Sequence, residues 1–289
     1  VYRGQKVNSL EYVNRLERQL IEKLGDRGNS LFQDSLVKFP DQYDPVFFKS
    51  EGNQAEFLST FSWGHDQKFS EDEIRVGAMS TRHKEILVES LDNHYLNPGE
   101  IEGRSVLVIG CYTGGDALLL AEMGALVSCL EEHPVAAEAC NWLFNIHGFD
   151  SPCIGTSAYA ENREFLGSFD LIYCCGVIYH ITDPLLLLRI CYCYLKEGGR
   201  IITEGKLLSQ ISGSYVQYHG GSEPGWNYYS PTKEALTRWY VDAGFDEMTV
   251  SIQLRFNGKR HLSSALKNTH MPLAIDAGFS RVGSEWLIK

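Results

Sequence analysis

The sequence lacks any apolar stretch long enough to cross a bilayer, for which an α-helix needs about 20 residues. Its longest candidate, Leu185–Leu188, has four leucines and reads as a short core segment. Residues 1–6 are polar, so we expect no signal peptide. The sequence therefore predicts a protein without membrane association.

Basic residues are few relative to acidic ones. The 289 residues include 26 Lys and Arg against 37 Asp and Glu, which gives a net charge of −11. Nucleic-acid binding depends on clustered Lys and Arg that contact phosphates. This balance argues against non-specific RNA binding, although a local basic groove remains open.

Cysteine is absent from both flanks of the chain, since all eight cysteines lie between Cys111 and Cys193. Several stand in apolar runs, where a free thiol behaves as a small hydrophobic side chain. We therefore expect a reducing, cytoplasmic location rather than a disulfide scaffold. Cys191 and Cys193 have the wrong spacing for a zinc knuckle, so no metal site is predicted.

Residues 1–95 are predicted to form an N-terminal helical extension. A helix over Asn8–Leu24 is indicated by apolar residues on one face, and Glu11 stands three residues after the capping Asn8. Residues 25–82 are irregular, rich in aromatics and broken by Gly and Pro. Such a segment is either a lid over a site or a covering for the core. Arg82–Leu91 is predicted as a further helix.

Residues 96–289 are predicted to form one α/β domain. Apolar strands alternate with helices from Ser105 onwards, which indicates a doubly wound, mostly parallel, seven-stranded Rossmann-like sheet with helices on both faces. The predicted strands are 106–109, 126–130, 152–156, 169–174, 200–204, 248–254 and 261–266, of which the last two form an antiparallel pair. The predicted helices are 116–122, 134–147, 184–195 and one that opens with Ser230 as cap and Pro231 in its first turn.

The first of these strands ends in a glycine turn, with three glycines within residues 110–115. The second strand ends in an acidic pair, Glu131-Glu132, whose first residue is 17 residues past Gly114. Strand, glycine turn, helix, strand and acid is the layout of a nucleotide-cofactor site, in which the acid accepts hydrogen bonds from ribose hydroxyls.

The spacing of the glycines argues against a dinucleotide. A dinucleotide site has Gly-x-Gly-x-x-Gly, whose second glycine lets bare backbone approach a pyrophosphate. Here Gly110 and Gly114 are separated by three residues, and Tyr112 stands where the pyrophosphate would need bare backbone. This favours a cofactor without phosphates. S-adenosylmethionine meets that condition, with its amino-acid end over the turn and its ribose at the acid.

From Ser105 to Phe245 the chain resembles the class I S-adenosylmethionine-dependent methyltransferases. Residues 106–114, Val-Leu-Val-Ile-Gly-Cys-Tyr-Thr-Gly, look like the first motif of that family, and Glu131 stands at its ribose-binding acid. Ser157-Ala158 stands where an acid followed by a small residue often meets the adenine. The resemblance implies an enzyme that uses S-adenosylmethionine as its cofactor.

Within this family the chain resembles the tRNA wobble-uridine (mo5U34 and carboxymethyl-transferring) enzymes. Val108 and Tyr112 replace the usual first-motif Asp and second glycine, and this branch carries Trp at the second of these positions. Residues 175–184 look like the fourth-strand signature of the branch, residues 225–231 are similar to its substrate-side helix, and residues 63–65 weakly resemble its N-terminal segment. Such branches include enzymes that act on small metabolites, so the resemblance does not fix the substrate.

The predicted site residues gather at the carboxyl ends of the strands, where doubly wound sheets bind ligands. Tyr179 and His180 are the catalytic candidates, since His180 titrates near neutral pH and suits a general base; packing above the adenine is its alternative role. The cofactor-binding candidates are Gly110, Cys111, Tyr112, Gly114, Glu131, Glu132, Ser157, Ala158, Cys175 and Gly176. The substrate-binding candidates, each with a structural role as its alternative, are Trp63, His65, Glu204, Tyr215, Tyr218, Trp226 and Tyr228.

Three functions are compatible with these residues. We favour methyl transfer from S-adenosylmethionine to O or N of a small molecule, because the chain is acidic and one loop is crowded with aromatics. A tRNA wobble-uridine enzyme is the second, and its positive groove would use Arg255, Lys259, Arg260 and Lys267. Cofactor binding without methyl transfer, or another reaction such as cyclisation or group transfer, is the third. A homo-oligomer remains open.

Overall fold

The structure is a computed structural model that describes residues 8–42, 60–160, 162–220, 227–253 and 259–267. The helices are α1 (Ser9–Leu24), α2 (Gly28–Lys38), α3 (Arg82–Asp92), α4 (Pro98–Ile101), α5 (Gly115–Glu122), α6 (Pro134–Ile146), α7 (Pro184–Tyr194) and α8 (Lys233–Asp242). The strands are β1 (Gln67–Lys68), β2 (Ile74–Arg75), β3 (Ser105–Ile109), β4 (Leu126–Glu131), β5 (Cys153–Gly155), β6 (Phe169–Cys175), β7 (Leu195–Lys206), β8 (Val216–Tyr218), β9 (Tyr229–Pro231), β10 (Asp246–Ile252) and β11 (Arg260–Leu266).

Seven strands form one sheet in the order β10-β11-β7-β6-β3-β4-β5. The pairs β3–β6, β6–β7 and β4–β5 are parallel, whereas β11 runs antiparallel to both β7 and β10. The prediction of a doubly wound, mostly parallel, seven-stranded sheet closed by an antiparallel pair is confirmed. The hairpins β1–β2 and β8–β9 are separate from this sheet.

The chain divides into two compact units. The first contains residues 1–104 and 110–157, and the second contains residues 105–109 and 158–289. The boundary predicted from the sequence, an extension over 1–95 and a domain over 96–289, remains a proposal.

Helix α1 of the first unit forms as its sequence predicts. The side chain of Asn8 accepts a hydrogen bond from the backbone N–H of Glu11, which satisfies one donor of the first turn. The apolar face packs against α3 and α5. Its buried residues are Val13, Leu16, Leu20 and Leu24. Burial of this face, rather than helix propensity, stabilises the helix.

The prediction that residues 25–82 are irregular is wrong in part, because α2 and the β1–β2 hairpin lie within them. Helix α2 buries only Gly28 and Ser35 among its residues, so it shows no apolar periodicity that sequence inspection could detect. The aromatics of the segment pack against one another and against Trp142 of α6. Phe39 and Trp63 are both buried, and their ring centroids are 6.1 Å apart.

Two helix starts in the second unit test the capping predictions. Asp183 caps α7, accepting the N–H of Leu186 at 2.9 Å. The predicted start of α8 at Ser230-Pro231 is wrong, because these residues end β9 and Ser230 pairs with Gln217 of β8. Thr232 is the cap instead, since its Oγ1 accepts the N–H of Ala235 at 3.2 Å. Proline supplies no N–H, which an edge strand tolerates as well as a first helical turn does.

Candidate cofactor and substrate sites

The glycine turn of the first unit is built from left-handed backbone. Gly110, Tyr112 and Gly114 have φ values of +68°, +50° and +85°. A Cβ on Gly114 would stand 2.6 Å from the Sγ of Cys140, so no other residue fits there without displacing α6. Gly110 is exposed and Cys111 is buried. The turn leads directly into the first residue of α5, as expected for a backbone seat at a helix N-terminus.

Glu131 is bound to this turn through its carboxylate. Its Oε2 accepts the N–H of Tyr112 at 2.7 Å, and its Oε1 accepts the N–H of His133 at 2.8 Å. Burial raises the pKa of Glu131 to about 7. Each carboxylate oxygen has a further lone pair, so the ionised side chain can still accept ribose hydroxyls. Glu132 is exposed and the structure shows no comparable tie to the turn, which favours Glu131 as the ribose ligand.

His133 is a residue of this region that sequence inspection missed. Its Nδ1 accepts the N–H of Ala136 at 3.3 Å and so caps α6. The other ring nitrogen, Nε2, therefore carries the proton and donates to the carbonyl of Thr60 at 2.7 Å. Nothing in the local pattern around residue 133 indicates a contact 73 residues away.

The segment 61–65 lies directly on the glycine turn. The N–H of Gly64 donates to Oγ1 of Thr113 at 3.1 Å, and a Cβ on Gly64 would stand 2.5 Å from the Tyr112 ring. The Tyr112 ring, half-buried, is stacked with Phe61 at 6.4 Å between centroids. Trp63 is 1% exposed, so its burial favours packing over the substrate contact that we predicted for it.

His65 is buried beside His83, with 4.5 Å between the ring centroids. Burial and the nearby charge of Arg82 lower the pKa of His65 to about 3, so its ring is neutral at physiological pH. His83 was not singled out from the sequence. Neither residue belongs to the glycine motif.

The second unit holds the other predicted polar residues around a buried ion pair. Glu204 is fully buried and accepts two hydrogen bonds from the guanidinium of Arg260, including one from Nη2 at 2.8 Å. The same Nη2 donates to the hydroxyl of Tyr179 at 3.0 Å. The N–H of Gly176 donates to the carbonyl of Glu204 at 3.0 Å. Arg260 is one of the four residues that would form the positive groove if the chain acted on tRNA.

The two catalytic candidates differ in exposure. Tyr179 is buried, and its carbonyl accepts the N–H of Tyr228 at 2.7 Å. His180 is exposed, and its ring centroid is 4.1 Å from that of Tyr179. An exposed imidazole beside a fixed ring is accessible to a substrate proton, so the geometry is compatible with a general base.

The remaining candidates are half-buried or exposed where the structure describes them. Tyr215 and Tyr218 are 59% and 66% exposed, so they are open to solvent rather than packed. Tyr228 is half-buried, and Trp226 lies outside the described residues. Half-buried positions are also occupied by Ser157, Ala158, Cys175 and Gly176.

Comparison with known proteins decides the family. A model of the methyltransferase domain matches residues 85–250, more than half of the chain. The chain belongs to this methyltransferase domain family. The predictions of a methyltransferase, and of S-adenosylmethionine as its cofactor, are confirmed at the level of the family.

Two curated relatives of this methyltransferase carry different names. The ubiquinone biosynthesis O-methyltransferase of Pseudomonas paraeruginosa (strain DSM 24068 / PA7) is 30% identical over 168 residues, which are 54% of this chain and 70% of that protein. The tRNA U34 carboxymethyltransferase of Sulfurovum sp. (strain NBC37-1) is 26% identical, over 52% of this chain and 50% of that protein. Other curated ubiquinone O-methyltransferases are matched over about half their length, from 44% to 53%.

A solved structure confirms the fold of the methyltransferase. The N-terminal domain of EvdMO1, determined in the presence of SAH and D-fucose, has a TM-score of 0.51 and 18% identity, and the match covers 74% of this chain and 94% of that one. In the part of this chain that the structure describes, no helix is long and apolar enough to span a membrane.

One cysteine cluster of the methyltransferase has the spacing of a possible metal site. The sulfur atoms of Cys111, Cys129 and Cys140 lie within 4.8 Å of one another, and all three residues are buried. The Sγ of Cys153 is 3.7 Å from that of Cys111. Direct packing of thiols has the same spacing, so the prediction that no metal binds remains a prediction.

Proposed function

We propose that this methyltransferase transfers a methyl group from S-adenosylmethionine to an oxygen or nitrogen atom of a small molecule. The observation that carries the choice of substrate class is the pairing of Arg260. Its guanidinium is held by Glu204 and Tyr179, so it is engaged within the fold rather than presented to phosphates. A small-molecule substrate is also named for the relative from Pseudomonas paraeruginosa.

The first unit contains residues suited to hold the cofactor. The φ values of Gly110 and Gly114 produce the turn, and the buried Glu131 offers the acid that a ribose requires. When bound, S-adenosylmethionine supplies a methyl group on an electrophilic sulfonium. The protein is then required mainly for binding and orientation, and no covalent nucleophile is needed.

The second unit contains the proposed proton acceptor. His180 is exposed, and we propose that it removes the proton from the accepting oxygen or nitrogen. Tyr179 is fixed by the hydrogen bond from Arg260 and by ring contact with His180, so it serves as a positioning residue for that imidazole. Glu204 holds Arg260, and Tyr215, Tyr218 and Tyr228 are the proposed substrate-side aromatics.

A tRNA substrate is the second candidate, favoured by the similarity to the Sulfurovum enzyme. Besides Arg260, a second residue of the proposed basic groove is engaged within the fold. Lys267 donates to the carbonyl of Leu195 at 2.8 Å and lies 3.8 Å from the Glu197 carboxylate. Lys259 is exposed, and Arg255 lies outside the described residues.

A labelling experiment separates these functions. The protein is incubated with methyl-labelled S-adenosylmethionine and either a metabolite extract or total tRNA. We expect label in the low-mass fraction and S-adenosylhomocysteine as the spent cofactor. Label confined to tRNA would support the second candidate, and methylthioadenosine as the spent cofactor would indicate chemistry other than methyl transfer.

We also propose a cytoplasmic location, because all eight cysteines are free thiols, as expected in a reducing compartment.

A further inference from the structure

Two buried imidazoles of the first unit have unused hydrogen-bonding atoms. His65 and His83 are 8% and 4% exposed. Within the described residues, Nδ1 of each ring is buried and has no hydrogen-bond partner. Buried polar side-chain atoms are paired in the large majority of cases, because an unpaired one loses its hydration without compensation. Two such atoms in adjacent rings indicate a ligand that supplies the missing partner.

Both rings lie against the N-terminus of α5, immediately after the glycine turn. A Cβ on Gly115 would stand 3.1 Å from both Cβ and Nδ1 of His65, and 3.3 Å from Cδ2 of His83. Helix α5 is eight residues long, and its N-cap residue Gly114 supplies no side-chain hydrogen bond, although Asp116 accepts the N–H of Ala117 at 2.9 Å. The first N–H groups of a helix lack intrahelical partners and favour negative charge. The location therefore suits an anionic group.

The charge state of the rings agrees with hydrogen-bond donation. Burial lowers the pKa of His65 to about 3. Burial also lowers the pKa of His83, and a hydrogen bond to the Ser80 carbonyl raises it by less. Each ring is thus neutral at physiological pH and carries one N–H, and a carboxylate would compete with the carbonyl of Ser80 for the N–H of His83.

We propose that His65 and His83 bind the carboxylate of the amino-acid end of S-adenosylmethionine. This inference rests on the proposed function. Both residues precede the 85–250 region that matches the family, so the N-terminal extension of this chain would complete its own cofactor site. Asp116, buried in the first turn of the same helix, supplies an acid for the ammonium group of that amino-acid end.

The two histidines are held in place before any ligand binds. The N–H of Asp66 donates to the carbonyl of Ser80 at 3.0 Å, and Oδ1 of Asp66 accepts the N–H of Gly77 at 2.9 Å. These bonds join the segment with His65 to the segment that leads to His83. The bond from Gly64 to Thr113 fixes the first segment on the glycine turn. Such preorganisation reduces the entropic cost of binding.

The test compares S-adenosylmethionine with its decarboxylated analogue, since the two differ only in the carboxylate. Calorimetric titration of the full chain is expected to show tighter binding of the intact cofactor. His65→Ala should weaken S-adenosylmethionine about ten- to a hundredfold, the usual effect of losing a hydrogen bond to a charged group, and leave the analogue within about threefold. His83→Ala should act in the same way. His65→Asn should restore part of the affinity, because its amide N–H lies near the position of Nδ1.

His147→Ala is the matched control. His147 is also buried, its Nε2 is also unpartnered among the described residues, and burial lowers its pKa to about 4, but it ends α6. Its variant should bind both ligands as the wild type does. Equal weakening of both ligands by His65→Ala and His83→Ala, or weakening of neither, would overturn the inference while leaving the proposed function standing. Failure of the wild type to bind either ligand would overturn both.

Discussion

At the scale of single residues, the buried carboxyl of Glu131 links cofactor binding to pH. Its pKa is raised to about 7 by burial, and only the ionised form can accept both ribose hydroxyls in addition to two backbone N–H groups. Affinity should therefore increase as the pH rises towards 7 and level off above it. Asp116, whose pKa burial also raises to about 7, acts in the same direction.

Glu131→Gln tests this link. If both Glu131 and Asp116 must ionise, the affinity of the wild type should fall by up to about a hundredfold for each pH unit below 7. The affinity of the variant should fall by up to about tenfold per pH unit, because only Asp116 still titrates. Calorimetric titration with S-adenosylhomocysteine between pH 5.5 and pH 8.5 measures both slopes. An unchanged slope in the variant would remove Glu131 from the cofactor site.

His180 carries the expectation for catalysis. His180→Ala should lower kcat by about 10²- to 10⁴-fold, the usual contribution of a general base, and leave the affinity for S-adenosylhomocysteine unchanged. The rate is measured with the acceptor that the labelling experiment identifies. His94→Ala is the control, because His94 is exposed and follows α3 of the first unit. A kcat within a factor of about three of wild type would give His180 a packing role.

The sequence predicts that Glu131 lies close to the glycine turn, but it does not predict the other residues around it. The glycine turn and the acid follow a local pattern of strand and turn, so their proximity is predictable from strand order. The contacts of Gly64 with Thr113 and of His133 with Thr60 depend on how the extension folds back, and local periodicity contains no information about this. His83 lies in helix α3, whose pattern of polar and apolar residues does not mark any of them as a ligand.

At the scale of elements, the start of α8 depends on one buried hydroxyl. Oγ1 of Thr232 accepts the N–H groups of Ala235 and Tyr215 and donates to the carbonyl of Gly213 at 2.7 Å. Thr232→Ala leaves these groups unpaired, so we expect the free energy of unfolding to fall by about 1–2 kcal/mol. Urea denaturation measures the loss.

Thr237→Ala provides the comparison for that helix. Its hydroxyl donates to the carbonyl of Lys233 at 2.9 Å. This bond is exposed, so water can take the place of the hydroxyl. The change should stay within about 0.5 kcal/mol. Equal losses in the two variants would show that Thr232 does not act as a cap.

Helix α1 gives a second test of element packing. Leu20 is 2% exposed on the buried face, so Leu20→Ala should reduce the free energy of unfolding by about 2–5 kcal/mol through lost apolar contact and a cavity. Leu10 of the same helix is 57% exposed, and Leu10→Ala should cost less than about 0.5 kcal/mol. Denaturation curves that do not distinguish these variants would mean that α1 does not contribute to the cooperative core.

At the scale of the whole molecule, the alternation of strands and helices was enough to predict the sheet, whereas the resemblance to the methyltransferase family came from the motif over residues 106–114 and from Glu131. The final antiparallel pair was also predictable, because β10 and β11 are short runs that follow one another with no helix between them among the described residues. Helix α2 was not predictable, since its only buried residues are a glycine and a serine. The proposed substrate class rests on how Arg260 pairs with Glu204 in three dimensions, and no count of basic residues reveals that pairing.

The central claim is that the glycine turn and Glu131 form the seat of S-adenosylmethionine. A crystal structure of the full chain with S-adenosylhomocysteine tests it most directly. We predict that the ribose hydroxyl oxygens lie about 3 Å from the carboxylate oxygens of Glu131, with the amino-acid end over residues 110–115. Electron density for the ligand elsewhere, or at the turn without contact to Glu131, would contradict the account.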